Sequence, residues 1–108
     1  MNLTAEARPV SVTGRLDLRS APQLRQQAAA ALAAAGGSLV LDLGEVEFID
    51  SSGLGVLAGL HREAERLGGR LVIVTPAGSA AQIFTLTRTD GFFRLVPDRE
   101  AADAALAA

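Results

Sequence analysis

The sequence predicts an α/β protein built around a β-sheet that is parallel in its middle. Strand-like apolar runs alternate along the chain with segments of helical periodicity, which is the order typical of strands joined by crossover helices. A glycine pair, Gly36-Gly37 or Gly68-Gly69, follows each of the two longer helical segments, where the chain has to reverse. With 108 residues the chain has the length of one domain, which we expect to span residues 1–108.

The first half of the chain is predicted to contain three strands and one helix. Alternating apolar and polar residues at 10–13 indicate a strand, and Ser20 with Gln23 three residues later indicates a capped helix start. Residues 39–43 form a near-continuous apolar run, which is typical of a strand covered on both faces. The predicted elements are an edge strand at 3–5, a strand at 10–13, a turn at 15–18, a helix from 21 to about 35, and a strand at 39–43 that an apolar segment continues to Asp50.

The second half continues the alternation of helices and strands. A helix is predicted from about Ser52 to Leu67, with its apolar residues on one stripe. Ser79 with Gln82 repeats the capping pattern, and Asp98 indicates the start of a C-terminal helix. The predicted elements are a helix at 52–67, a buried strand at 71–74, a short helix after Ser79 that carries Ile83 and Leu86, a turn at 90–91, a strand at 93–96 and a helix from 98 through 106.

Composition excludes several classes of function. The formal net charge is −2, and the ten basic residues are all arginines spread along the chain with no three adjacent, so we expect no nucleic-acid partner. Because the chain has no cysteine and one histidine, we expect no metal site and no cofactor. No segment resembles a secretory signal or reaches the ~20 apolar residues of a membrane span. We therefore expect a cytoplasmic protein without membrane insertion.

The most informative segment is residues 48–55, Phe-Ile-Asp-Ser-Ser-Gly-Leu-Gly. It predicts a buried strand that delivers a serine hydroxyl to the first turn of a helix. Backbone N–H groups in a first turn lack intrahelical partners and carry partial positive charge, so a phosphate on that hydroxyl would be tolerated there. The segment thus predicts a phosphorylation switch. Residue chemistry alone leaves open the alternative that Asp50 and the serines only cap the helix.

Enzymatic interpretations of this segment find no supporting residues. A serine hydrolase needs an adjacent base, but His61 falls about 13.5 Å from Ser52 along the helix axis and on nearly the opposite side. We expect this histidine to be a solvated helix residue. Gly53, Gly55 and Gly59 lack the spacing of a dinucleotide-binding turn, and a P-loop needs a lysine, which the chain does not contain. We therefore expect a non-enzyme.

Residues 48–57, Phe-Ile-Asp-Ser-Ser-Gly-Leu-Gly-Val-Leu, resemble the signature of the STAS domain family, specifically its small free-standing bacterial anti-sigma factor antagonists. The resemblance implies a mixed β-sheet with about four helices packed mainly on one side. The chain departs from the family at Arg8-Pro9, where a full edge strand is usual. Further features in the family's order are Gly14-Arg15-Leu16-Asp17 ahead of a helix, Gly68-Gly69 before residues 71–74, and a short helix before Gly91-Phe92.

The resemblance also implies a regulatory cycle. In that cycle the antagonist binds an anti-sigma factor, itself a serine protein kinase, and so releases a sigma factor. The kinase uses ATP to phosphorylate the antagonist, which dissociates until a metal-dependent serine phosphatase restores it. Ser52 matches the phosphorylated position, with Ser51 as the runner-up acceptor. The positions that match the partner-binding surface are Asp17, Asp50, Ser51, Gly53 and Leu54.

A second interpretation of the same resemblance keeps the fold and changes the partner. In it the chain is an accessory STAS subunit that docks on the ATPase of a lipid transporter. The serine of the helix start is then an interface residue that is never modified.

Overall fold

The computed structural model describes residues 2–4 and 10–107. Strands and helices alternate within these residues in the order that the sequence predicts, so the α/β class is confirmed. Ala5 of the predicted edge strand and the Arg8-Pro9 interruption lie outside the described residues. The elements are β1 (Asn2–Thr4), β2 (Val10–Leu16), α1 (Ala21–Ala34), β3 (Leu39–Ile49), α2 (Ser51–Arg66), β4 (Leu71–Val74), a 3₁₀ turn (Gly78–Ala81), α3 (Gln82–Leu86), β5 (Arg94–Val96) and α4 (Arg99–Ala107).

The strands form one mixed sheet in the order β1-β2-β3-β4-β5. β1 pairs antiparallel with β2, and every other neighbouring pair is parallel, as predicted. Pairing of β2 with β3 extends to Leu16 opposite Ile49, so the predicted turn at 15–18 begins only at Asp17. Asp17 and Asp50 therefore follow the last residues of two neighbouring parallel strands and lie at the same edge of the sheet.

One face of the sheet carries the main hydrophobic core. Leu41 and Leu43 of β3 and Ile73 of β4 are completely buried there. Burying one leucine or isoleucine side chain contributes about 1.5–3 kcal/mol, so this layer of side chains fixes the helices on the sheet. Three helices supply the matching side chains, with Leu24 and Leu32 from α1, Leu57 and Leu60 from α2, and Phe84 from α3.

The opposite face carries a smaller core beneath α4. Val40 of β3 and Val72 and Val74 of β4, which alternate along their strands with residues of the main core, pack with Ala102 of α4. Three helices thus contribute to the main core and one to the smaller core, in agreement with the prediction that helices pack mainly on one side. None of the helices in residues 10–107 is long and apolar enough to span a bilayer.

Polar contacts fasten the start of α4. Asp98 Oδ1 accepts a hydrogen bond from the N–H of Ala101 at 2.8 Å, which confirms the predicted cap. Arg99 Nε donates to Asp42 Oδ2 of β3 at 2.6 Å, and its Nη2 donates to Ser11 Oγ of β2 at 2.6 Å. One arginine therefore joins this helix to two strands of the sheet.

Ser20 stands at the predicted start of α1, but neither predicted serine side chain caps a helix. Ser20 Oγ donates to the carbonyl of Arg15 at 2.7 Å and accepts from the N–H of Asp17 at 3.0 Å, so it stabilises the loop before α1. Ser79 lies inside the 3₁₀ turn, and α3 begins at Gln82 without a side-chain cap. The error has a physical cause, because a serine hydroxyl bonds equally well to nearby loop backbone and to the N–H groups of a helix start.

His61 is buried, which corrects the prediction that it is solvated. The residue is 9 % exposed, its ring centroid lies 4.6 Å from that of Phe92 and 6.0 Å from that of Phe93, and its Nε2 lies 3.4 Å from Glu65 Oε1. Nδ1 has no hydrogen-bond partner in the described part of the chain. The position follows Leu57 by four residues, which places His61 at the border of the apolar stripe of α2.

Candidate functional site

Asp50 caps the first turn of α2. Its backbone is extended, with φ −106° and ψ −174°, and its Oδ1 accepts hydrogen bonds from the N–H groups of Ser52 at 2.9 Å and Gly53 at 3.0 Å. The predicted cap is therefore confirmed. The carboxylate also occupies two of the donors that the sequence assigns to a phosphate, so a phosphate on a neighbouring serine finds these two N–H groups already bonded.

Gly53 brings the first turn of α2 into direct contact with the end of β2. A Cβ atom at this position would lie 2.5 Å from the carbonyl oxygen of Leu16 and 2.9 Å from its Cγ, closer than side-chain carbons pack. The N–H of Asp50 donates to the same carbonyl oxygen at 3.1 Å. This contact sets the height of the helix start above the edge of the sheet, and only glycine fits it without displacement.

The two serines of the motif differ in their surroundings. Ser51 is exposed, whereas Ser52 is half-buried. Ser52 lines a surface depression of about 300 Å³ between the starts of α1 and α2, and Ser51 is not among the residues that line it. Leu54 is half-buried and packs against the main core. The residues lining the depression are Leu18, Ala21, Pro22, Arg25, Ser52 and Val56.

Asp17 is fixed by the loop that follows β2. Its Oδ1 accepts from the N–H groups of Arg19 at 3.0 Å and Ser20 at 3.2 Å, and its Oδ2 lies 3.6 Å from Arg15 Nε. Burial acts to raise the pKa of Asp17, but the two backbone hydrogen bonds and the Arg15 charge outweigh it and hold the pKa below its usual value. Asp17 is therefore a fixed, ionised carboxylate.

The structure groups the predicted site residues only in part. Asp17 and Asp50 share one edge of the sheet, and Ser51, Ser52, Gly53 and Leu54 all lie in the first turn of α2. Asp17, however, lines a wider depression of about 520 Å³ that does not include Ser52. The acidic loop and the serine are therefore neighbouring features of one edge and do not form a common pocket.

Two residues next to Ser52 were missed by sequence reasoning. Leu18 is 73 % exposed and Arg25 is exposed, yet both line the depression with Ser52. Leu18 lies in a predicted turn, and Arg25 lies off the apolar stripe of α1, so both residues read as ordinary surface positions. The missing information is that α1 lies beside α2, a tertiary contact that periodicity within one helix does not contain.

Comparison with known proteins agrees with this fold. A family model described as "Mlab, STAS domain" matches residues 1–97. The anti-sigma-B factor antagonist of Bacillus subtilis (strain 168) is 33% identical over 78 residues, which cover 72% of this chain and 71% of that protein. The anti-sigma F factor antagonist of Lysinibacillus sphaericus is 26% identical over 102 residues, which cover 94% of this chain and 87% of that protein.

A solved structure extends the likeness to almost the whole chain. The crystal structure of an anti-sigma factor antagonist from Mycobacterium paratuberculosis has a TM-score of 0.85 and 33% sequence identity, and the match covers 99% of this chain and 94% of that one. The family model spans most of the sequence and includes the motif at the start of α2. The chain belongs to the STAS domain family.

Proposed function

We propose that this protein is an anti-sigma factor antagonist whose binding is switched off by phosphorylation of Ser52. The observation that carries the proposal is the turn capped by Asp50, which places Ser52 in the lining of an open depression beside the exposed Leu18. Relatives named anti-sigma factor antagonists, at up to 33% identity, support it. The unmodified chain then acts in the cytoplasm, where it occupies an anti-sigma factor and so frees a sigma factor for transcription.

The proposed contact surface is the sheet edge formed by the loop after β2 and the first turn of α2. Asp17 and Asp50 are both held by two backbone hydrogen bonds, so they offer fixed carboxylates to a partner. Ser51, which lies between Asp50 and Ser52 in the chain, is exposed. Gly53 is buried and Leu54 half-buried, so these two residues contribute by shaping the turn that the partner meets. Fixed groups lose little conformational freedom on binding, which favours a specific complex.

The modifying chemistry belongs to the partner. In the proposed step, the Ser52 oxygen forms a bond to the γ-phosphorus of ATP held by the anti-sigma kinase. The bond from that phosphorus to the oxygen bridging to the β-phosphate breaks, ADP leaves, and the hydroxyl proton passes to a base of the kinase. A phosphatase hydrolyses the ester with water and returns the hydroxyl. This chain supplies only the acceptor, in keeping with a non-enzymatic regulator.

Electrostatics gives the reason why phosphorylation releases the partner. The phosphate adds about −1.5 to −2 charges beside Asp50. The dipole of α2 offsets about 0.3–1 kcal/mol of the resulting repulsion within the chain, but the partner surface receives no such offset. Burying an unmatched dianion against a fitted surface costs several kcal/mol, and each step of about 1.4 kcal/mol weakens binding tenfold. We therefore expect a loss of affinity of two orders of magnitude or more.

The test is the intact mass of the protein isolated from its own cells, with the modified residue mapped on its peptide. A phosphate-sized increment that Ser52→Ala abolishes and Ser51→Ala retains supports the proposal. An increment that only Ser51→Ala abolishes would move the acceptor to the runner-up. Protein that stays unmodified whenever the anti-sigma kinase is active would favour the second candidate, an accessory subunit of a lipid-transport ATPase, which the family match also allows.

A further inference from the structure

A phosphate on Ser52 needs a positive partner that the helix start does not fully provide. The N–H groups of Ser52 and Gly53 both donate to Asp50 Oδ1, and the N–H of Leu54 donates to the carbonyl oxygen of Asp50 at 2.9 Å. The modified side chain would thus have a carboxylate as its immediate neighbour. A cation supplied by another element would therefore stabilise the charged phosphate.

Arg25 of α1 is the charged residue that lines the same depression of about 300 Å³ as Ser52. It also lines the adjoining groove of about 270 Å³ between α1 and α2, which contains Glu63 further along α2. Val56 is shared by the two. Arg25 therefore lies between one acidic side chain on α2 and the hydroxyl that the proposed function modifies.

Arg25 is unengaged in the unmodified protein. It makes no hydrogen bond or ion pair with any residue of the described ranges 2–4 and 10–107. Glu63 does not neutralise it, because Arg66 Nε donates to both Glu63 carboxylate oxygens, at 3.0 and 3.1 Å, and Arg66 Nη2 also contacts Oε1. The hydrogen bond from Arg66 holds the pKa of Glu63 below its usual value. Within the described residues, the groove therefore contains the unpaired guanidinium of Arg25, whereas its carboxylate, Glu63, is already paired with Arg66.

Most of the other charged groups on the neighbouring elements make contacts of their own. The side chain of Arg19, in the loop before α1, makes no such contact among the described residues, but it lines the depression of Asp17 and not that of Ser52. Asp17 is bonded by the N–H groups of Arg19 and Ser20 and lies near Arg15, whose guanidinium carbon is also 4.2 Å from the centroid of the Phe48 ring. The remaining charged side chains of α2 are Arg62, over the Phe92 ring at 5.7 Å, and Glu65, beside His61.

We propose that Arg25 pairs with the phosphate of phosphorylated Ser52 and holds it in the depression between α1 and α2. The inference rests on the proposed function, and it adds a positioning residue to the switch. A guanidinium binds phosphate oxygens through two parallel N–H donors, so the pair fixes the phosphate in place as well as balancing its charge. The pair joins the first turn of α2 to α1 only in the modified state.

The test uses phosphoserine installed at position 52 during translation by a suppressor tRNA, so no kinase is needed. The second pKa of phosphoserine is about 6, and a ³¹P NMR titration measures it. A nearby cation favours the dianion, so Arg25→Gln should raise this pKa by about 0.5 units, the shift equivalent to an exposed ion pair. Arg25→Lys should restore part of the shift, because lysine keeps the charge without the paired donors.

Two controls make the result specific. Phosphoserine at position 51, which is exposed and outside the depression, should respond to Arg25→Gln less than half as much. Arg94→Gln, at an exposed arginine of the edge strand β5, should leave the phosphoserine-52 pKa unchanged. A phosphoserine-52 pKa that Arg25→Gln does not raise, or raises no more than Arg94→Gln does, would overturn the assignment. Because the phosphate is installed directly, that result would leave the phosphorylation of Ser52 in cells untouched.

Discussion

Alanine substitution at three glycines of α2 separates close packing from helix propensity. Gly53, Gly55 and Gly59 lie on one helix, and the same methyl group is added at each position. At positions 55 and 59 the added Cβ meets nothing within 4 Å, whereas at position 53 it lies 2.5 Å from the Leu16 carbonyl oxygen. We therefore expect alanine to raise the stability of the protein at positions 55 and 59 and to lower it at position 53.

The magnitudes follow from two competing terms. Replacing a helical glycine by alanine stabilises a helix by about 0.5–1 kcal/mol, and Gly55→Ala and Gly59→Ala should each gain this amount. At position 53 the clash is with backbone atoms, including the Leu16 carbonyl carbon at 3.1 Å, which cannot rotate away as a flexible side chain would. Overpacking of this kind costs about 1–3 kcal/mol, so Gly53→Ala should be destabilising by up to about 2 kcal/mol net.

Urea unfolding followed by far-ultraviolet circular dichroism measures all three variants. Unchanged m-values would show that each variant changes stability and not the compactness of either state. We expect the midpoint to rise for Gly55→Ala and Gly59→Ala and to fall for Gly53→Ala. A Gly53→Ala variant as stable as Gly55→Ala would refute the close contact between the first turn of α2 and the end of β2.

Three further predictions concern Asp50, Asp17 and His61. Asp50→Ala should lower the free energy of unfolding by about 1–2 kcal/mol. Asp50→Asn should lower it by less than half of that amount, because asparagine also caps helices. Equal losses for the two variants in urea unfolding would argue against capping. The folded pKa of Asp17 lies below 3.8, so its stabilising contribution is fully present above the unfolded pKa and is lost as the pH falls through the folded value. Asp17→Asn should therefore flatten the loss of stability below about pH 4, and an unchanged acid limb would contradict this. His61→Phe removes the unpartnered Nδ1 and keeps a ring against Phe92, so this variant should be at least as stable as the parent protein. His61→Ala removes the ring and should lose about 2 kcal/mol or more of stability. The reverse order of the two variants in thermal denaturation would contradict the packing.

Much of the fold could be predicted because its signals are local. The apolar run at 39–43 and its counterpart at 71–74 become the central strands β3 and β4, and glycine pairs follow α1 and α2 as expected. The length of β2 could not be predicted, since its last residues are strand only through their pairing with β3. The serine caps failed for a related reason, because the choice of Ser20 between loop and helix depends on where the loop places its carbonyl groups.

The candidate site was predictable where it follows from the order of residues along the chain. Asp50 caps α2 because it directly precedes the first turn, and Asp17 shares its edge because β2 and β3 are parallel. The surroundings of Ser52 depend on tertiary contacts. Leu18 and Arg25 line the same depression as Ser52 only because the start of α1 lies beside α2. The sequence therefore predicts the acceptor and its cap, whereas the neighbouring cation emerges only from the structure.

The affinity of the unmodified and the Ser52-phosphorylated protein for the same anti-sigma factor tests the central claim most directly. The anti-sigma factor is first identified among the proteins from the native cells that the unmodified chain captures, and its binding is then measured by titration calorimetry. Our account predicts tight binding by the unmodified protein and by Ser52→Ala, and a loss of about 100-fold or more on phosphorylation. Equal affinity of the two forms would contradict it.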